Sequence, residues 1–160
     1  MVTTREHEEI EILLVEDDPL DLEMTMRALQ SDHVKNRIEV ARDGEEALDF
    51  VFCRGPHSGR SPERQPKLIL LDLKLPKVDG LEVLREIRAT PQTRTIPVVV
   101  LTSSAEQRDI IETYKLGVNS YIQKPVDFDK FRDTVRLIGL YWLVVNQAPV
   151  TEPLSQGVHA

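Results

Sequence analysis

A chain of 160 residues can bury one real hydrophobic core and is too short for two ordinary domains. Its 41% hydrophobic and 29% charged residues suit a soluble globular protein, and a net charge of −7 argues against the sequence-independent nucleic-acid binding that Lys and Arg drive. One cysteine, Cys53, excludes an intramolecular disulfide, and no apolar run suits a signal peptide or a bilayer span, so a cytoplasmic protein without membrane attachment is expected.

In chain order, the polar start over residues 1–9 predicts a flexible N-terminus, and ordered chain is expected over residues 10–146. ILLV at 12–15 is apolar without alternation, which predicts a strand covered on both faces, as in a parallel sheet. Asp18 followed by Pro19 reads as an N-cap and first turn, opening a helix toward Gln30. A weaker strand is expected over 37–41, then a helix whose apolar face holds Ala47, Leu48, Val51 and Phe52. The stretch RGPHSGRSPERQP, residues 54–66, has no apolar period and reads as a mobile surface loop, with a basic docking loop for an acidic partner as the alternative.

LILL at 68–71 is a second fully apolar strand, yet it ends on a carboxylate, Asp72, before a turn through Pro76, Asp79 and Gly80. Val83, Leu84 and Ile87 mark a third helix, and VVVL at 98–101 a fourth strand. Ser104 with Gln107 resembles a capping box for a fourth helix ending near Gly117. A fifth strand is expected over 120–123, Asp127 caps a fifth helix, and residues 147–160 read as a flexible tail. Five βα units in strict alternation predict a doubly wound α/β fold.

Open α/β sheets bind ligands beyond the carboxyl ends of their strands. Those ends carry Glu16, Asp17 and Asp18, then Asp72, then Thr102 and Ser103, then Lys124 before Pro125. Taken singly, each has a plain structural role as cap, solvated turn or surface lysine. In a flavodoxin-like order, 2-1-3-4-5, the first and third strands are neighbours, so Glu16, Asp17 and Asp72 converge. Crowded carboxylates need a cation, and all-oxygen ligands select Mg²⁺ over Zn²⁺. Lys124 offers a point charge to a phosphate oxygen and Thr102 a hydroxyl donor, which together make a phosphoryl site. Asp72, on a different strand from the acid pair, is the natural nucleophile, giving an aspartyl phosphate.

With LLVEDD, LLDLKLPKVDG, VVVLTSS and SYIQKP in this order, residues 10–140 resemble the receiver domain of a two-component response regulator. The resemblance implies Glu16 and Asp17 as metal-binding acids, Asp72 as phosphoacceptor and the Lys74 backbone carbonyl as a further metal ligand. It implies Thr102 as switch hydroxyl, Lys124 as phosphate-pairing lysine, Tyr121 as the aromatic that changes rotamer, and a cis Lys124–Pro125 bond. YKLGVNSYIQKP, the long 54–66 loop and a last helix running into LYWLVVNQAP are similar to the single-domain regulators that serve bacterial phytochromes. A histidine kinase of phytochrome type is therefore the expected partner and Mg²⁺ the cofactor. The protein would catalyse only its own phosphorylation and dephosphorylation, and with no output domain after the receiver, DNA binding is not expected. The Lys74 side chain departs from common receivers in lying close to the acceptor. A Mg²⁺-dependent phosphohydrolase with an aspartyl-phosphate intermediate, or a dimeric scaffold that is never phosphorylated, are the competing readings.

The last helix adds a partner surface. Phe128, Phe131, Val135, Ile138, Trp142 and Val145 recur at heptad-like spacing, with Leu137, Tyr141 and Val144 as a second row. At 1.5 Å per residue a helix over 127–145 is roughly 28 Å long, against about 17–20 Å for a strand of five or six residues. The overshoot predicts a homodimer through Leu137, Tyr141, Trp142 and Val144.

Overall fold

The computed structural model describes residues 10–30 and 37–149. Five parallel strands form one sheet: β1 (Ile12–Val15), β2 (Ile38–Ala41), β3 (Leu68–Leu71), β4 (Val98–Thr102) and β5 (Ser120–Gln123), in the order β2-β1-β3-β4-β5. Between and after them run α1 (Pro19–Gln30), α2 (Gly44–Val51), α3 (Gly80–Ala89), α4 (Gln107–Lys115) and α5 (Phe128–Leu140). A π-helical turn, Tyr141–Val145, prolongs α5. This is the flavodoxin-like doubly wound sandwich that the alternation predicts.

Every residue of β1, β3 and β4 is buried, because each strand has apolar side chains on both faces and a helical layer over each. On one face Leu13, Val15, Ile69, Leu71 and Val100 pack with Phe50, Leu84 and Ile87 of α2 and α3. On the other, Ile12, Leu14, Leu68, Leu70 and Leu101 pack with Ala28 and Leu29 of α1 and with Phe131, Val135 and Ile138 of α5. Registers Val15↔Leu71 and Leu71↔Val100 keep the central strands level at their carboxyl ends, so the residues that follow them emerge side by side.

Short acidic side chains start four of the helices. Asp43, Asp79 and Asp127 accept from the backbone N–H of Glu46, Glu82 and Lys130 at 2.8, 2.9 and 3.0 Å, and Asp18 accepts from Leu20 and Asp21. The expected capping box at Ser104 does not form. α4 starts after Glu106 with no side-chain cap, because the Ser104 hydroxyl donates to Asp109 at 2.6 Å and accepts from the Glu106 N–H. The helix does stop as expected, with Gly117 in the left-handed region at φ 87°.

Two further expectations are corrected. The 54–66 segment is folded onto α2: the Arg60 guanidinium lies 3.5 Å over the Phe50 ring and donates to the Phe50 and Arg64 carbonyls. Gln65 Nε2 donates to the Val51 carbonyl at 2.9 Å, and Gly55–His57 forms a 3-10 turn. No peptide bond among the described residues is cis, so Lys124–Pro125 is trans. The β-ladder already aims the lysine, since its N–H donates to the Thr102 carbonyl at 2.7 Å.

The last helix keeps its inward row at the centre, while Phe128 and Val145 at the two ends of that row are exposed. Phe131, Val135 and Ile138 are buried, while Leu137, Leu140, Tyr141, Val144 and Val145 are exposed. Trp142 departs from the expected interface set. It follows Ile138 by four residues, stays on the inward row and packs half-buried against the α1–α5 side of the core, its ring edge-to-face with Tyr141. The expected flexible terminus at 1–9 and residues 150–160 of the expected tail lie outside the described residues.

Gly44 shows how tightly the loops above the sheet are fitted. A Cβ there would stand 1.8 Å from the Val78 carbonyl oxygen, so the segment between β3 and α3 rests directly on the start of α2. Gly44→Ala is expected to destabilise the fold by about 1–3 kcal/mol in urea unfolding. An unchanged midpoint would show that the two loops are not in contact.

Candidate functional site

β1 delivers Glu16 and Asp17, β3 delivers Asp72, β4 ends on Thr102, and Lys124 follows β5. Glu16, Asp72 and Thr102 are buried and Asp17 is exposed. One carboxylate oxygen from each of Glu16, Asp17 and Asp72 falls within 4.8 Å of the others. The convergence expected from strand order is therefore realised.

Asp72 is held from two sides. Its Oδ1 accepts from the Thr102 hydroxyl at 2.9 Å and the Lys74 N–H at 3.2 Å, and its Oδ2 accepts from Lys124 Nζ at 2.8 Å. The same ammonium donates to Glu16 Oε2 and to Asp21 Oδ2, each at 2.8 Å, while Glu16 Oε1 accepts from the Asp18 N–H. The Asp17 carboxylate has no hydrogen-bond or ion-pair partner among the described residues. It lines an open cleft of about 470 Å³ with Lys74, Pro76, Asp79, Glu106 and Asp109, and the Lys74 side chain is exposed. Lys74 thus meets the acceptor through its main chain.

Tyr121 is half-buried on β5, and its hydroxyl donates to the Ser104 carbonyl at 2.9 Å. The Ser104 N–H in turn faces the Thr102 hydroxyl at 3.4 Å. Thr102 and Tyr121 are therefore joined through one loop, between β4 and α4. Asp21, in the first turn of α1, did not stand out in the sequence. Its place in the first turn of α1, where side chains lean back toward the helix N-terminus, was the available signal.

Burial pushes the Glu16 carboxyl up to about 7, with the Asp72 charge adding to the rise and the Lys124 hydrogen bond opposing it. Burial also raises Asp72, but the Lys124 hydrogen bond and charge and the Lys74 N–H outweigh it and hold the group below the usual carboxylate range. Burial would lower Lys124, but its bonds to Asp21, Asp72 and Glu16 push it well above an ordinary lysine. Of the two buried carboxyls, Asp72 is the one these surroundings favour in ionised form. An ionised, pinned carboxylate beside a fixed ammonium suits attack on a phosphoryl group.

The donor set fits a divalent cation: three carboxylates with hard oxygens, one of them free and facing the cleft. The response regulator receiver domain family matches residues 12–136. The chain belongs to that family, and is a two-component signalling protein. It is 45% identical over 138 residues to the probable methanogenesis regulatory protein FilR2 of Methanothrix harundinacea, covering 86% of each chain. The phosphorylated cyanobacterial phytochrome response regulator RcpA superposes with a TM-score of 0.82 at 39% identity, over 88% of this chain and 99% of that one. The Mn(2+)-bound form of the response regulator Rcp1, from Synechocystis, superposes at 0.80 with 38% identity, over 86% and 97%. Receiver domains bind a divalent metal and partner with histidine kinases. No helix among the described residues is long and apolar enough to cross a membrane.

The Glu16 shift gives stability a definite pH slope when no cation is present. The folded carboxyl keeps its proton up to about 7, whereas the unfolded one loses it near 4.5, so folding binds a proton between those values. Stability in EDTA is expected to fall by roughly 1 kcal/mol from pH 6 to pH 8 in urea unfolding, and Glu16→Gln to flatten the slope. Asp72 contributes no slope there, because its folded value lies below 3.8. A profile that rises with pH over this range would contradict the proton placement.

Proposed function

We propose that this receiver accepts a phosphoryl group from a histidine kinase of phytochrome type onto Asp72, with Mg²⁺ as cofactor. The observation that carries the reading is the hold on Asp72: Oδ1 on the Thr102 hydroxyl, Oδ2 on Lys124 Nζ, and Glu16 and Asp17 beside it. Glu16, Asp17, Asp72 and the Lys74 carbonyl would hold the cation, which when bound neutralises charge on the phosphoryl oxygens.

The residues of the chain do the rest. The Asp72 carboxylate forms a P–O bond as the P–N bond of the kinase phosphohistidine breaks and the imidazole leaves. Lys124 turns an N–H from Asp72 to a phosphoryl oxygen, and Thr102 gives its hydroxyl to another. That transfer takes Thr102 toward the phosphoryl group and frees space in the β4–α4 loop, to which the Tyr121 hydroxyl is tied. This is a local charge event read out through Tyr121. The same groups serve hydrolysis of the aspartyl phosphate, in which water forms a bond to phosphorus as the Asp72 O–P bond breaks and inorganic phosphate leaves.

The likeness to RcpA supports a phytochrome as kinase partner, while the likeness to FilR2 shows that the same framework occurs under another description. The exposed row Leu137, Leu140, Tyr141, Val144 and Val145 supports a homodimer, with Trp142 bracing Tyr141 from behind. A net charge of −7 favours protein over DNA as the downstream partner, and a cytoplasmic setting follows from a kinase-fed receiver.

Asp72→Asn is expected to abolish uptake of label from a phosphorylated kinase, with the circular dichroism spectrum unchanged; full labelling of that variant would remove Asp72 from the reaction. Replacing Leu137 and Tyr141 together with Ser is expected to give a folded monomer that still accepts phosphate. An aromatic hot spot such as Tyr141 would contribute on the order of 2 kcal/mol to an interface of this kind. Sedimentation as an undiminished dimer would place the interface elsewhere.

A further inference from the structure

Lys124 is an ammonium with three N–H donors, and three carboxylates at 2.8 Å take all of them. Two of those partners have other duties in the proposed reaction. Glu16 belongs to the acid set that would hold the cation, and Asp72 loses its negative charge when it becomes an acyl phosphate. Asp21 has neither duty. Its backbone N–H is fixed to the Asp18 carboxylate at 3.0 Å, and it comes from α1 rather than from a strand end.

We propose that Asp21 is a positioning residue for phosphoryl transfer, anchoring Lys124 Nζ over the strand ends while Glu16 and Asp72 serve the cation and the phosphoryl group. The inference rests on the reading of Asp72 as phosphoacceptor. A lysine on a flexible four-carbon stem holds its place only through its partners. With Glu16 and Asp72 both engaged, Asp21 is the remaining carboxylate that keeps one N–H fixed and leaves two for transfer. Thr102 and the Lys74 N–H occupy the Oδ1 side of Asp72, so the ammonium reaches the acceptor from the Oδ2 side, where it is flanked by α1.

A plain alternative exists. An acid in the first turn of a helix is favourable to the helix dipole by itself, and Asp21 occupies such a position. That role would touch stability and leave Lys124 chemistry alone.

The experiment uses the full chain, saturating Mg²⁺ and acetyl phosphate as donor. The P–O bond to the Asp72 carboxylate forms, the P–O bond to the acetyl oxygen breaks, acetate leaves with the electron pair, and no proton is consumed. Asp21→Ala is expected to slow the initial rate about tenfold, the loss of one charge-assisted hydrogen bond at a partly exposed site. Asp21→Asn, which keeps the shape and an acceptor oxygen, should fall between the two and carries the test if the Ala variant does not fold. In a Lys124→Met background, Asp21→Ala should change nothing further. In metal-free protein, the side-chain ¹⁵N signal of the Lys124 ammonium should be visible in the wild type and broaden in Asp21→Asn. Asp21 variants that phosphorylate at the wild-type rate, or lose as much rate without Lys124 as with it, would overturn the inference alone. Absence of phosphate uptake by the wild type would overturn the proposed function and this inference with it.

Discussion

One buried ammonium organises the strand ends. Lys124 Nζ stands 2.8 Å from three carboxylates, and without it Glu16 and Asp72 would face each other as desolvated like charges. Burying a charge without a partner costs several kcal/mol, so this cluster can exist only where the sheet brings β1, β3 and β5 to a common edge with α1 alongside. The level register of β1, β3 and β4 supplies that edge. Everything chemical about the molecule depends on a cation count that falls short by design: one ammonium among four acids, Asp17 included, leaves room for a second, divalent charge.

The fixed framework and the adjustable part are made of different material. β1, β3 and β4 are buried along their whole length, and they hold Glu16, Asp72 and Thr102 as rigid posts. The β4–α4 connection carries a chain of hydrogen bonds: Ser104 to Asp109, Ser104 to Thr102, Glu106 to Ser104, and Tyr121 to the Ser104 carbonyl. Those bonds exchange at small net cost, whereas repacking a strand does not. In the proposed function a change at Asp72 would pass to Tyr121 through this connection.

Much of this was legible in the chain. Unbroken aliphatic runs located β1, β3 and β4, the acids Asp18 and Asp127 located two helix starts, and a carboxylate at the tip of a buried run located Asp72. Those signals are local, so they survive in sequence. The misreadings share a different cause. Arg60 packs on Phe50, ten residues away, which turns an unpatterned loop into ordered structure. Ser104 spends its hydroxyl on Asp109 instead of capping α4. Asp21 is defined by a lysine 103 positions away, and nothing nearby in sequence distinguishes it from a helix-start acid. Trp142 follows Ile138 by four residues, so the helical period itself puts it on the inward row where it packs half-buried.

In the proposed reaction the Asp72 carboxylate oxygen bonds to phosphorus, with Lys124 as its counter-charge. Reductive trapping with borohydride tests it directly, because hydride converts an aspartyl phosphate to homoserine at the phosphorylated position. After incubation with Mg²⁺ and acetyl phosphate, peptide mass spectrometry is expected to find homoserine at position 72 and at no other acidic residue. Homoserine at Asp17, 2-amino-5-hydroxypentanoate at Glu16, or an unmodified Asp72 in protein that has taken up phosphate, would contradict the account.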